Sequence, residues 1–277
     1  MGVSIEGELR MPYSSADVRA RERILRALLI APPKSGKTVA AVGTAPGPVF
    51  VLNTDGKGAL DPVVYLHPHV VFEVEDITSS KSFDAALVYF KANANKFKTI
   101  VLDNITFFGD SIFSEVALEV GKDGRSLYPE FTRRLVSYIR KLTALKHHVI
   151  INAHARPGDT DAAAALGHLP SLPGQSASAI AGLVQDQLWL EASVDPETGA
   201  GKWEFLLAPQ GKWTKAARSV QGIPRMKADF TRFLELANQG ALPKVKAVAP
   251  VAAKPAVKTV VRPTVAVKPN ATAPVKP

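Results

Sequence analysis

Ala31-Pro32-Pro33-Lys34-Ser35-Gly36-Lys37-Thr38 is the stretch whose residue types and spacing read most directly as chemistry. It follows a short apolar run, Leu28 to Ala31, and precedes the small-residue segment Val39-Ala40-Ala41-Val42. Strand, loop and helix in that order aim the backbone N–H groups of residues 34–38 and the positive end of the helix at one point, which suits a polyphosphate. Pro33, Lys34, Ser35, Gly36, Lys37 and Thr38 would form the cradle. Lys37 would reach the β- and γ-phosphates, and the Thr38 hydroxyl would sit on Mg²⁺. Gly-Lys occurs five times, at 36, 56, 121, 201 and 211, but only the first pair is followed by Ser or Thr. The usual first glycine of such a loop is Ala31 here, which is tolerated at negative φ, as at a strand end.

Other polar residues close apolar runs in the same way. Thr99-Ile100-Val101-Leu102 ends in Asp103, 66 residues after Lys37. A carboxylate at that place is a hard oxygen ligand for Mg²⁺. Val49-Phe50-Val51-Leu52 ends in Asn53-Thr54-Asp55-Gly56. Asp55 is either the base that orients an attacking water or an ordinary Asp-Gly turn residue. His148-Val149-Ile150-Ile151-Asn152-Ala153 ends in His154, which either senses the γ-phosphate or is structural. Polar residues just past the carboxyl ends of strands stand where open α/β sheets place their sites.

The elements that must position these residues alternate strand and helix. Val70 to Val74 reads as a strand, Lys81 to Lys98 as an amphipathic helix, and Phe107 to Gly121 and Pro129 to Lys146 as further helices. Arg133, Arg134, Arg140 and Lys141 read as a solvated face. Residues 155–176 show no strong period and read as a long loop. Asp186 to Glu191 and Trp203 to Leu207 read as two strands about a Gly-rich turn. Gln210 to Arg218 is a basic strand or turn, and Phe230 to Ala237 a last short helix. Tyr13 either covers a nucleotide base or packs at an edge.

Composition bounds the possibilities. The 277 residues carry a net charge of +9, of which +7 falls in residues 241–277, where six Lys, one Arg and no acid occur. The body is therefore not a broadly basic nucleic-acid surface. That tail also holds seven of the 21 prolines. It reads as disordered, either a solubilising spacer or an electrostatic tether for nucleic acid or an acidic partner. Three segments follow: an extension at 1–20, a single folded domain at 21–240 and the Ala/Val/Pro/Lys tail at 241–277. The absence of cysteine excludes disulfides and thiolate metal sites. With no apolar run near the roughly 20 residues of a membrane span and no leader pattern, a soluble cytoplasmic protein is the expectation.

Taken together, Ala-Pro-Pro-Lys-Ser-Gly-Lys-Thr, the acid after the second strand, Ile-Val-Leu-Asp-Asn and Ile-Ile-Asn-Ala-His resemble a RecA-like P-loop ATPase core. The likeness is to phage-encoded recombination ATPases associated with single-strand annealing. Leu169 to Gly174, Gln187-Leu188-Trp189 and Trp213 to Arg218 also resemble them, so the likeness spans roughly residues 24–238. It implies an α/β fold, a mostly parallel sheet flanked by helices with a C-terminal antiparallel hairpin. It implies ATP and Mg²⁺, with Lys37 and Thr38 as the Walker A pair and Asp103 as the Walker B acid. Asp55 falls where that family carries a glutamate, so the shorter side chain implies slow hydrolysis. His154 matches the residue that couples the phosphate to a DNA-binding loop, here 155–176. Lys215 and Arg218 would act on the neighbouring subunit's γ-phosphate. Implied partners are single-stranded DNA, further copies in a ring or filament, and a single-strand-binding protein. The implied compartment is the host cytoplasm.

Three other functions compete. An AAA+ helicase or helicase loader normally carries Glu directly after the Walker B Asp, whereas Asn104 stands here. A small-molecule phosphotransferase typically lacks a strand between its phosphate motifs, and Val49 to Leu52 is expected to supply one. A nucleotide-gated interaction protein with little turnover would fit Asp55 and the tail.

Overall fold

The computed structural model describes residues 23–120, 124–156, 169–195, 197–209 and 217–239. Tyr13, Lys215 and the 241–277 tail lie outside the described residues, as do positions 157–168 of the expected loop.

Nine strands make one sheet. Its path runs β3 (Phe72–Asp76), β2 (Val49–Asn53), β4 (Thr99–Asp103), β5 (His148–Arg156), β1 (Arg26–Ala31), β7 (Asp186–Val194), β8 (Gly201–Leu206) and β9 (Arg225–Lys227), with β6 (Leu169–Pro170) paired to β5. Along that path the pairings from β3 to β7 are parallel, β8 and β9 add antiparallel, and β6 pairs antiparallel with β5. The expected fold class is thus met, C-terminal hairpin included.

The order corrects one expectation. Val49 to Leu52 does not stand between the two phosphate motifs. β5 does, paired with β1 on one side and β4 on the other, while β2 lies beyond β4. Sequence order gives no access to this, because parallel strands are joined by crossovers and need not neighbour the next strand in the chain.

β1, β2 and β4 are apolar along their length because both faces are covered. Successive side chains alternate between two cores. Leu28, Ile30, Phe50, Leu52, Ile100 and Leu102 face one side. There they meet α3 (Ser80–Ala92), α4 (Ile105–Val120), α5 (Gly124–Thr143) and α6 (Ser176–Ala181) through Phe83, Phe108, Ile139 and Ile180. Ala27, Leu29, Val49, Val51 and Val101 face the other side. Covering them are α1 (Lys37–Gly43), α2 (Asp61–Leu66) and α7 (Phe230–Asn238), through Ala41, Val63 and Phe233.

Several boundaries move for physical reasons. The helix expected from Lys81 ends at Ala92 and tightens into a single 3₁₀ turn at Ala94–Lys96. α5 begins five residues before Pro129 and holds that proline inside it, drawn in by Leu127, which is buried. The α5 cations do form a solvated face. Arg133 and Arg134 pair with Glu130, Arg134 also with Glu119, and Lys141 with Asp84. The 155–176 stretch is not all loop, since Ala155 and Arg156 pair with Pro170 and Leu169.

Phe108 is fully buried and stacks on Phe83, ring centroids 4.7 Å apart, with Tyr138 edge-on at 5.5 Å. Phe108→Ala is expected to cost about 3–5 kcal/mol in denaturant unfolding. Leu118→Ala on the same helix, 88% exposed, is expected to cost less than about 0.5 kcal/mol.

Candidate active site

The carboxyl ends of β1, β4, β5 and β2 deliver the polar groups. Past Ala31 the chain curls through Lys34 (φ 60°) and Gly36 (φ 91°) before α1 begins at Lys37. A left-handed residue between right-handed ones turns successive backbone N–H groups toward a common anion position, and glycine at 36 makes the sharper of the two turns unstrained. Ala31 keeps negative φ, as expected for its position. The Lys37 side chain is almost wholly buried, and its Nζ donates to the carbonyl oxygens of Ala31 (3.2 Å) and Pro32 (2.7 Å). Burial lowers its pKa to about 8, against the pull of Asp103 and Asp55.

Asp103 ends β4 fully buried. Burial raises its pKa, opposed by hydrogen bonding from Thr38 and Asn152 and by the charge of Lys37. Asn152 Nδ2 donates to Oδ1 at 2.8 Å, while Oδ2 is buried without a regular hydrogen bond. Ser35 Oγ is likewise buried and unpartnered. Thr38, Ser35 and Asp103 are hard oxygen donors of the kind Mg²⁺ takes alongside substrate phosphate oxygens. Among the described residues no group of three or more His, Asp or Glu could hold a metal unaided. The residues present fit a metal held jointly with a nucleotide.

The end of β2 is laced to the end of β4. Thr54 N–H donates to the Asp103 carbonyl (2.7 Å), the Asn104 N–H donates to Thr54 Oγ1 (2.8 Å), and that hydroxyl donates to the Asn104 carbonyl (2.8 Å). Asn53 holds the turn, donating to Asp76 Oδ1 and the Gly56 carbonyl and accepting the Asp55 N–H. Asp55 is thereby placed beside Asp103 and Lys37. Burial first, then Asp103, pushes its pKa up to about 6, with Lys37 opposing.

Asn104 is the residue that sequence reasoning passed over, noticed only as a missing glutamate. It is fully buried. Its Nδ2 donates to Asp55 Oδ1 at 2.7 Å and lies 3.1 Å from His154 Nε2, while its Oδ1 accepts the Phe107 N–H at 3.1 Å. The His154 pKa falls to about 4, through burial and then Lys37. The ring is therefore neutral at pH 7. Nε2 accepts from Asn104, which leaves the proton on Nδ1, an assignment made from the hydrogen-bond network. Asn152, too, joins the site unforeseen. Both are neutral amides next to the obvious residues, and only their contacts reveal them.

Lys37, Thr38, Asp55, Asp103 and His154 thus converge. Arg218 does not join them within this chain. It is exposed beside Ala217, which bridges Asp186, and Asp186 pairs with Ala27 at the far end of β1 from the loop. A third unforeseen neighbour is Trp203. β8 rises past the end of β1, and Trp203 Nε1 donates to the Ser35 carbonyl at 3.1 Å.

The model of a family described as "AAA domain" matches residues 23–219. Asn104 after the strand-end Asp therefore does not exclude an AAA-type domain. A search of curated proteins gives no significant match. A solved structure from a study of a prototypical ATPase from the type III secretion system of pathogenic bacteria is similar at 13% identity and a TM-score of 0.42, over 60% of this chain and 51% of that one. The chain thus spans about half the length of that ATPase. No described helix is long and apolar enough to cross a membrane. The family match covers well over half of the sequence and takes in every residue that converges on the loop: the chain belongs to the AAA domain family, as a P-loop ATPase.

Proposed function

We propose that this chain hydrolyses ATP in service of single-stranded DNA recombination, annealing or replication, as a homo-oligomer. One observation carries the hydrolytic part: a single buried amide, Asn104, ties Asp55 to His154 beside the Lys37–Asp103 pair. The triphosphate lies against the backbone amides of residues 34–38. Lys37 leaves the carbonyls of Ala31 and Pro32 for the phosphate oxygens. Thr38 and Asp103 would hold Mg²⁺, which when bound would offset charge on the phosphate oxygens. Asp55, ionised above pH 6, accepts a hydrogen bond from the attacking water and aligns it with the γ-phosphorus. Asn104 fixes the carboxylate's orientation, so little reorganisation is needed at the moment of attack. Lys215 and Arg218 act on the triphosphate of an adjoining copy.

Support for the nucleic-acid part comes from the resemblance and from a cavity of about 440 Å³ at the end of β5. Tyr128, Arg156, Ser171 and Gly174 line it, with Thr106 and one acid, Asp110. Tyr128 is half exposed, as is Phe107, whose ring meets His154 edge-on at 5.3 Å. Exposed aromatic rings beside an arginine are the elements of a base-stacking platform. Phe107 is also where a change at Asn104 or His154 would first be felt.

Stimulation of ATP turnover by single-stranded DNA tests the whole reading. Phosphoryl transfer to a small acceptor, or binding without turnover, would overturn it. Lys37→Ala is expected to abolish nucleotide binding in calorimetry. Asn104→Ala is expected to lower kcat about 10–100-fold, as loss of a supporting partner does elsewhere, with KM for ATP little changed. For pH dependence, Asp55 has its pKa raised to about 6, and the working form is the ionised one. kcat/KM is therefore expected to hold above about pH 7 and fall tenfold per unit below about pH 6. Asp55→Asn should remove most activity and that acid limb with it.

A further inference from the structure

Two glycines hold Trp203 flat against the loop. A Cβ on Gly36 would stand 2.9 Å from the indole Nε1, and one on Gly201 would stand 2.5 Å from Cη2. At the other end of α1, a Cβ on Gly43 would meet the His67 ring at 2.4 Å. Two aromatic rings therefore rest on glycine-cleared ground at the start and finish of one short helix. Between them lies a cavity of about 530 Å³, floored by Val39, Ala40 and Thr44 and walled by Trp203 and His67, with Lys227 at its rim. Trp203 remains 45% exposed. The cavity begins at Gly36, inside the phosphate-binding loop itself.

We propose that this cavity takes the nucleoside half of ATP, with the purine stacked on the exposed face of Trp203, making Trp203 a specificity-determining residue. This rests on the triphosphate lying at residues 34–38. Phosphates anchored there leave the sugar and base to run along α1, and this cavity is continuous with that start. It lies within the range of nucleoside-sized ligand pockets, mostly apolar with a few polar groups at the edge. A two-ring base covers more of an indole than a one-ring base does, so purines are preferred over pyrimidines. The Nε1 bond to Ser35 fixes the indole in advance, so no side-chain freedom is lost when the base arrives.

Calorimetric titration of the full chain with Mg²⁺ and either ATP or inorganic tripolyphosphate tests this. Trp203→Ala is expected to weaken ATP about 10-fold or more, the size of one base–aromatic stack, and to leave tripolyphosphate affinity unchanged. Trp203→Phe is expected to recover most of the ATP affinity and so guards against loss of the fold. ATP affinity within twofold of the parent in Trp203→Ala would overturn the stacking assignment while leaving the loop reading intact. Equal loss of both ligands would also overturn it, showing the indole to be only a prop for the loop through Ser35. Failure of the parent chain to bind either ligand would overturn the loop reading beneath it.

Discussion

A carboxylate taken out of water governs this molecule. Asp103 ends a strand buried on both faces, with no exposed surface of its own. An isolated charge there would neutralise or destabilise the fold. Thr38, Asn152 and Lys37 each favour its ionised form, and Lys37 is nearly as deeply buried. The Lys37 ammonium makes its hydrogen bonds to the carbonyls of Ala31 and Pro32, and the attraction between the two charges offsets part of the cost of burying each. The loop after β1 and the end of β4 are therefore one electrostatic unit. Both motifs owe their placement to the sheet that holds them in register.

Strand order supplies the rest. With β5 between β1 and β4, period-two alternation puts Asn152 and His154 on one face, where the first meets Asp103 and the second meets Asn104. With β2 on the far side of β4, the Asn53–Gly56 turn brings Asp55 to the same Asn104 from the opposite direction. Asn104 can bridge them because an amide nitrogen has two hydrogens to give. A glutamate at that position would set a third carboxylate beside two whose pKa values burial already raises. A neutral donor is the residue type this crowding permits.

How much of this could be read from the chain depends on whether each residue announces itself alone. Asp103, Asp55 and His154 are polar ends of apolar runs, and that contrast is visible in one dimension. The buried strands were equally plain, since covering both faces leaves unbroken apolar stretches. α2 and α6, six residues each, are too short to show a helical period. Pro129 hid the first turn of α5. Asn104 and Asn152 carry no charge and no motif, so only their partners identify them. Trp203 read as a strand residue. The β7–β8 register, Trp203 opposite Ala192 where Ile30 pairs with Trp189, is what lifts it above the loop. Arg218 stands apart from its own chain's loop, because antiparallel pairing of Ala217 with Asp186 returns it to the far end of the sheet.

The distribution of unsatisfied groups completes the argument. Six buried side-chain polar atoms lack a hydrogen-bond partner among the described residues: Ser35 Oγ, Asp103 Oδ2, Asn152 Oδ1, His154 Nδ1, His147 Nδ1 and Gln187 Oε1. The first four belong to the loop and the strand ends around it. Each such group costs about 1–3 kcal/mol, and native structures keep few of them. Two fully buried polar side chains away from the loop are satisfied: Thr99 donates to the Pro46 carbonyl, and Asp186 accepts both the N–H and the hydroxyl of Ser219. A sheet able to pair its polar groups there, yet leaving four unpaired at one end, is under-bonded where phosphate oxygens and a hard cation would supply partners. Ligand binding then adds to stability as well as to chemistry, since whatever satisfies those atoms binds the folded chain alone. The same orphaned atoms that weaken the fold on its own make its open end selective for a charged, oxygen-rich substrate.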